Sequence, residues 1–179
     1  MKRLHLGCGK RDFGPGWTNV DIATFPHVHY VHDIATLPMF NDNSFDLIYS
    51  SHALGYFDRL EAVSVLTEWK RVLVVGGTLR VAVPDFEALV TAYKKYGLGP
   101  IIGPLFGRWQ VGDELIYEKT TYDYQTLREL LESVGFKNVR KYDWRKTEHA
   151  EFDDHSQAYL PHMDKERGSL LSLNVEATR

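Results

Sequence analysis

The sequence predicts an α/β fold: a doubly wound, mostly parallel sheet of about seven strands with an antiparallel strand at one end. Two observations carry this. Short β-type runs alternate with amphipathic stretches along the chain, the pattern of a parallel sheet with helices on its faces. The last two such runs, "KNVRKYDW" and "LLSLNVEA", have no helical pattern between them, and two such strands are most simply antiparallel.

The first three strands are expected in "RLHLGC", "WTNVDI" and "HYVHDI", and a stronger fourth in "FDLIYSS" after the polar turn "NDNS". A helix should follow. Asp58 can cap it, with Glu61 three residues on as the capping-box partner. Ala62, Val65, Leu66, Trp69, Val72 and Leu73 recur at helical spacing, and Gly76-Gly77 is the expected stop. "TLRVAVP" is the fifth strand, with Pro84 at its exit. Asp85 should cap a second helix through Tyr96, ended by Gly97. A third helix starts at Asp123, buries Leu127, Leu130, Leu131 and Val134, and ends at Gly135. Residues 97–120 are glycine-rich, apolar and without clear period, and are expected to form a long loop or lid. Residues 145–168 read as a polar connector between the closing strands.

The first crossover is too short for the usual helix. Only Lys10 to Gly16 separate Gly9 from Trp17, whereas a parallel crossover ordinarily needs a dozen or more residues. "KRDFGPG" holds no more than one helical turn, and Gly14-Pro15-Gly16 favours a bend. The first crossover helix is therefore expected to be shortened or absent.

At 179 residues the chain is expected to form one domain, 1–179, large enough to bury a substantial core. A net charge of -3 gives no global attraction to nucleic acid or anionic membrane, so neither is expected as a partner. One cysteine rules out an internal disulfide framework and points to a reducing, cytoplasmic setting. No run reaches the length of a membrane span or a signal-peptide core. The histidines and acids of 145–168 match no standard metal spacing, and no metal is expected.

The chemistry-bearing residues cluster where the expected strands end. Gly7 and Gly9 bracket the turn leaving the first strand, where glycine permits unusual dihedrals and close backbone approach to a ligand. A dinucleotide fingerprint needs a third glycine, and Gly7-Cys8-Gly9-Lys10-Arg11-Asp12 lacks it, which counts against a dehydrogenase. Cys8 has no identifiable general base and is expected to pack within the turn.

The order "LHLGCG", an acid ending the second strand, "HDI..LP", "NSFDLIYSSH", "EWKRVL..GGTLRVAVPD" and "LLESVGFKNV" resembles the class I S-adenosylmethionine-dependent methyltransferases, of the small type 11 kind. The resemblance implies a Rossmann-like fold, S-adenosyl-L-methionine as cofactor and methyl transfer to a small-molecule or sugar-containing acceptor. It implies that the turn Gly7, Cys8 and Gly9 borders the cofactor and that Asp21, with Ile22 beside it, receives the ribose hydroxyls. Asp33 resembles the acid that accepts from the adenine amine, with Ile34 against the ring, while Ser50, Ser51 and His52 line the methionine side.

The chain departs from the pattern in three places. The first helix is missing, "HALGYF" stands where a Glu-His is common, and "VVGG" replaces Lys-Pro-Gly-Gly. These departures keep a second expectation open, a degenerate member that binds cofactor or a protein partner without methyl transfer. An oxygen acceptor would benefit from a general base; His52 is the first candidate and Asp85, also a natural helix cap, the second. Tyr56 and Tyr117 are candidates for lining the acceptor pocket or for simple packing. Lys10 and Arg11 either cover the cofactor's amino-acid end or lie in solvent. The apolar residues Ile101, Ile102 and Phe106 are expected either to rim the acceptor site or to contact a second copy in a homodimer.

Overall fold

Four short parallel strands open the chain: β1 (Arg3–Leu6), β2 (Trp17–Asp21), β3 (Tyr30–Val31) and β4 (Phe45–Ser51). This is a computed structural model that describes residues 1–179. Helix α1 (Glu61–Val72) leads into β5 (Leu73–Pro84), followed by α2 (Phe86–Tyr96), α3 (Gly99–Phe106) and a hairpin of β6 (Trp109–Val111) and β7 (Glu114–Ile116). Then come α4 (Tyr124–Ser133), β8 (Lys137–Lys141), the small ladder of β9 (Tyr159–Leu160) with β10 (Ser169–Leu170), and β11 (Ser172–Thr178). Seven strands form the main sheet in the order β3-β2-β1-β4-β5-β11-β8. β11 runs antiparallel to both of its neighbours, β5 and β8, one position in from the edge.

Alternation along the strands gives the sheet two different faces. Leu4, Leu6, Val20, Ile48, Leu79, Val81, Val83, Leu173 and Val175 build the larger core with Val65, Leu66 and Trp69 of α1 and Leu127 and Leu131 of α4. Asp123 caps α4 with a full capping box, and Asp85 caps α2 through the amides of Glu87 and Ala88, both as the sequence predicts.

The helix between β1 and β2 is indeed absent, and residues 22–29 and 32–44 also cross without one. Side chains of α1 substitute for the missing helix before β4. Arg71 donates to the carbonyls of Leu37 and Phe40 at 3.0 Å each, Glu68 accepts from Leu37 N at 2.8 Å, and Trp69 Nε1 donates to Ile34 O at 2.8 Å.

The opposite face is aromatic and polar. Phe13, from the short crossover, lies over His5 and Tyr49 and stacks on His149 and Phe152, with centroids 5.3 and 5.0 Å away. Residues 148–157 thus cover sheet that a first helix would otherwise shield. They are held by polar bonds: Tyr49 Oη donates to Asp154 Oδ2, Asp154 Oδ1 accepts from Ser156 N and Oγ, and Arg80 pairs with Glu148.

Three expectations need correction. α1 stops at Val72, and Leu73 to Gly77 already belong to β5; Gly76 takes φ +80° inside the strand instead of ending the helix. Leu73 pairs with Phe45, so sheet hydrogen bonding overrides the helical period. Residues 97–120 are not a bare loop: they hold α3, started by Pro100, and a hairpin turning at Gly112-Asp113. Residues 145–168 are not simply a polar surface connector, since His149, Asp154, Ser156 and Gln157 are buried. No helix is long and apolar enough to cross a membrane.

Candidate functional site

In an open α/β sheet the ligand crevice lies beyond the carboxyl ends of the parallel strands. Here those ends bring Gly7-Cys8-Gly9, Asp21, Ser50-Ser51-His52 and Asp85 to one rim, with Asp33 just after β3. Gly7 and Gly9 both take left-handed dihedrals, φ +66° and +53°. At Gly7 a Cβ would stand 2.6 Å from Ala53 Cβ, so the turn can press against the exit of β4 only as glycine. Gly7→Ala should therefore cost at least about 2 kcal/mol in denaturant unfolding, from dihedral strain plus overlap. Gly14→Ala is the control: φ is +75° but a Cβ there meets nothing within 4 Å, so only the backbone share of about 1 kcal/mol should be lost.

Asp21 is 5% exposed, and its two oxygens accept from Gly9 N at 2.7 Å and Ala23 N at 2.8 Å. The carboxylate thus ties the glycine turn to the end of β2. His27 Nε2 reaches Gly9 O at 3.0 Å and secures the same turn from the second crossover. Ile22 is exposed, whereas Ile34 is buried, its Cδ1 3.5 Å from the Cβ position of Gly7. Asp33 is exposed and accepts from Ala35 N. Cys8 is buried, and burial together with Asp21 pushes its thiol up to about 12, which leaves no thiolate for nucleophilic chemistry at neutral pH. Lys10 and Arg11 are exposed.

The hydroxyls of Ser50 and Ser51 are buried without partners. His52 has φ +50° and lies 3.1 Å through Nε2 from Ser172 Oγ. Ser172 donates its single hydrogen to Asn174 Oδ1, so it accepts from His52, which places the imidazole hydrogen on Nε2 and leaves Nδ1 as an acceptor. Burial and the stacked His155 ring, 5.2 Å away, hold the His52 pKa well below its ordinary value, and the ring is neutral at pH 7. Asp85 is committed to its cap, with Oδ1 3.1 Å from Glu87 N.

One group at this rim escapes sequence reasoning. Glu118, just after β7, is anchored by its amide to Phe106 O at 2.7 Å, and Lys119 N bonds Gly55 O at 2.7 Å. Its Oε2 is buried with no partner, and burial pushes its pKa up to about 8. The hairpin that precedes it places Trp109 3.8 Å from the Cβ position of Gly9. The one available sequence signal was Gly112-Asp113, a two-residue hairpin turn between "WQV" and "ELI". A cavity of about 580 Å³ opens instead at the amino-terminal rim, among Met1, Trp17 and Phe40, away from all of these groups.

Residues 15–81 match the family described as "Methyltransferase domain", a span from just before β2 into β5 that leaves β1 and its glycine turn outside. Solved structures match along almost the whole chain. An S-adenosylmethionine-dependent methyltransferase from Archaeoglobus fulgidus aligns with TM-score 0.60 and 17% identity, over 99% of this chain and 86% of that one. This is the class I S-adenosylmethionine-dependent methyltransferase fold. The same methyltransferase fold appears in an enzyme from Mesorhizobium loti, with TM-score 0.55 and 17% identity over 99% and 90% of the two chains. It appears again in the Burkholderia thailandensis 1,6-didemethyltoxoflavin-N1-methyltransferase, solved with bound 1,6-didemethyltoxoflavin and S-adenosylhomocysteine, at TM-score 0.56 and 14% identity over 99% and 70%. No curated protein sequence matches this chain. Within the methyltransferase fold, the missing helices all fall in the first three crossovers.

Proposed function

We propose that this chain is an S-adenosylmethionine-dependent methyltransferase acting on a small-molecule or sugar-containing acceptor, with residues 1–179 as one methyltransferase-like unit in the cytoplasm. The carrying observation is the glycine turn held against the acid of β2: Gly9 N to Asp21 Oδ2, 2.7 Å, at the carboxyl rim of this sheet. The donor and acceptor set fits the cofactor. A carboxylate takes about four hydrogen bonds, so Asp21 retains capacity for ribose hydroxyls, and Asp33 offers an exposed carboxylate to an adenine amine. Ser50 and Ser51 supply unpartnered hydroxyls, and Gly7, Cys8, Gly9, Ile22 and Ile34 complete the proposed walls. The cofactor supplies an electrophilic methyl group on a sulfonium. The protein's share is to align the acceptor with it and exclude water. His52, neutral and with Nδ1 free to accept, is the residue we assign to take a proton from an oxygen acceptor, and Asp85 the alternative.

Thermal-shift titration tests the reading. At about a hundred times Kd, S-adenosylhomocysteine should stabilise the fold by about 2.7 kcal/mol, or roughly 5–10 °C, with no response to NAD. Asp33→Ala should abolish most of that shift with only a small fall in the unliganded Tm, since Asp33 is exposed and gives up a single turn hydrogen bond, from Ala35 N. A second reading, a degenerate member that binds cofactor or a protein partner without transfer, is favoured by the three crossovers before β4 that lack helices. Absence of any shift with S-adenosylmethionine or S-adenosylhomocysteine, or a shift with no methyl transfer to any acceptor offered, selects it.

A further inference from the structure

The carboxyl of Glu118 occupies a space made by two glycines. A Cβ on Gly55 would lie 2.7 Å from its Oε2, and a Cβ on Gly107 would lie 3.1 Å from its Cγ and 3.4 Å from its Oε1. Tyr56 Oη stands 2.9 Å from the same Gly107 position. Tyr122 is 4% exposed and its hydroxyl has no partner. Burial and the nearby Glu118 push both tyrosines up to about 12. No cation answers the acid: Lys119, its neighbour, is turned to Glu61 at 3.1 Å. A buried acid without hydrogen bond or counter-ion is costly to the fold. The sequence nonetheless keeps it, with two glycines that leave it room.

The cradle stands at the functional rim. Gly55 belongs to the turn that follows β4, Tyr122 bridges to Asp85 at the exit of β5, and the β6–β7 hairpin runs from Glu118 to the glycine turn. Around it the apolar surface is open, with Phe106 51% and Tyr117 47% exposed. We propose that Glu118 anchors the ammonium group of a cationic amine whose apolar or aromatic body lies along Phe106 and Tyr117. As the acceptor site this assignment rests on the methyltransferase reading; as a binding site it stands alone. A single carboxylate flanked by tyrosines lacks the ligand set for a divalent metal, since no group of three or more His, Cys, Asp or Glu forms there. A carboxylate repels anions, and a neutral ligand gives the carboxyl no counter-charge and leaves it protonated. An amine matches it in charge, and the tyrosine faces and hydroxyls suit its remaining hydrogens. The same carboxylate can take a proton from the bound ammonium, leaving the nitrogen lone pair free: R–NH3⁺ and Glu–COO⁻ become R–NH2 and Glu–COOH.

Calorimetry on the full chain with benzylamine and its neutral counterpart benzyl alcohol tests this. Benzylamine should bind at pH 7 with release of close to one proton, because Glu118 is mostly protonated beforehand and ionises to meet the ammonium. Proton release should vanish well above pH 8, and affinity should rise through pH 8 until the amine loses its own proton. The alcohol should bind at least about tenfold more weakly, and Glu118→Gln should cost the amine a similar factor. Equal binding of amine and alcohol, or amine binding without proton release, overturns the assignment, and both are measured on the unmodified protein. S-adenosylhomocysteine, titrated into the same samples, keeps the two readings separate. Amine binding without it sinks only the methyltransferase reading. Binding of S-adenosylhomocysteine with indifference to the amine sinks only the Glu118 site.

Discussion

In the Glu118→Gln protein, where the opposing titration of that acid is absent, acidifying from pH 7 to pH 5 should remove at least about 4 kcal/mol of folding stability, measured as a fall in the urea midpoint at constant m-value. Two buried imidazoles set that minimum, and His52 and His155, also lowered by burial, add to it in the same sense. His5 and His149 are each 1% exposed, and burial, first among the causes, lowers their pKa values from 6.5 to about 3 and about 4. Both nitrogens of His149 and Nδ1 of His5 lack partners, so neither ring has a group to receive an added proton's charge. Above pH 6.5 folded and unfolded chains are both neutral at these sites. Below it the unfolded chain takes up two protons that the folded chain refuses, so stability present above 6.5 is lost as pH falls toward the folded values. Each group contributes about 1.36 kcal/mol per pH unit, hence roughly 2 kcal/mol each at pH 5. The window excludes the carboxylates held low by hydrogen bonds, such as Asp58, Glu68 and Asp123, which are ionised in both states until pH approaches their ordinary range. His149→Phe should remove about 2 kcal/mol of that loss, the share of one imidazole. A midpoint unchanged between pH 7 and 5 would mean that these rings are hydrated or already paired. Glu118 works in the opposite sense: its raised value makes stability fall as pH rises from about 4.5 toward 8, so Glu118→Gln should gain most against the parent near pH 8.

What was legible in the sequence followed from local chemistry. Asp85, Asp123, Gly97 and Gly135 punctuate their helices because caps and left-handed stops depend on a few adjacent backbone groups. The "FDLIYSS" strand was legible because apolar density there is high over seven residues. The lost helix was legible from chain length alone. The end of α1 was not, since Leu73 continues the helical period and only its pairing with Phe45 turns it into strand. The hairpin escaped because its strands are three residues each, shorter than any periodic window. At the site, the glycines and strand-end acids were legible as types in positions. Glu118 was not: its character comes from Gly55 and Gly107, which are 63 and 11 residues away in the chain. The same holds for Asp154, an ordinary acid in a polar run until Tyr49, 105 residues earlier, meets it beneath the sheet.

Phe13→Ala should destabilise the fold by about 3–5 kcal/mol, the cost of a large aromatic cavity in a well-packed core. That is a heavy penalty for a residue in a seven-residue loop, and it follows from the absent helix. A parallel sheet must have both faces covered. Where a first crossover helix would lie over β1, β2 and β4, this chain has only Phe13, 4% exposed, seated on His5, Trp17 and Tyr49 and roofed by His149 and Phe152. Phe152 is less buried and sits at the edge of the cluster, so Phe152→Ala should cost distinctly less. The two large predictions are coupled. Phe13 stacks on both imidazoles, with centroids 4.4 Å from His5 and 5.3 Å from His149, and its removal lets water reach rings that now resist protonation. The Phe13→Ala protein should therefore lose less additional stability between pH 7 and 5 than its parent, because hydrated imidazoles titrate nearer 6.5 in both states. A mutant with the full cavity penalty and an undiminished acid slope would show that the histidines are kept neutral by residues 148–157 alone. A small penalty with a flattened slope would show that the segment closes over the gap while water still enters.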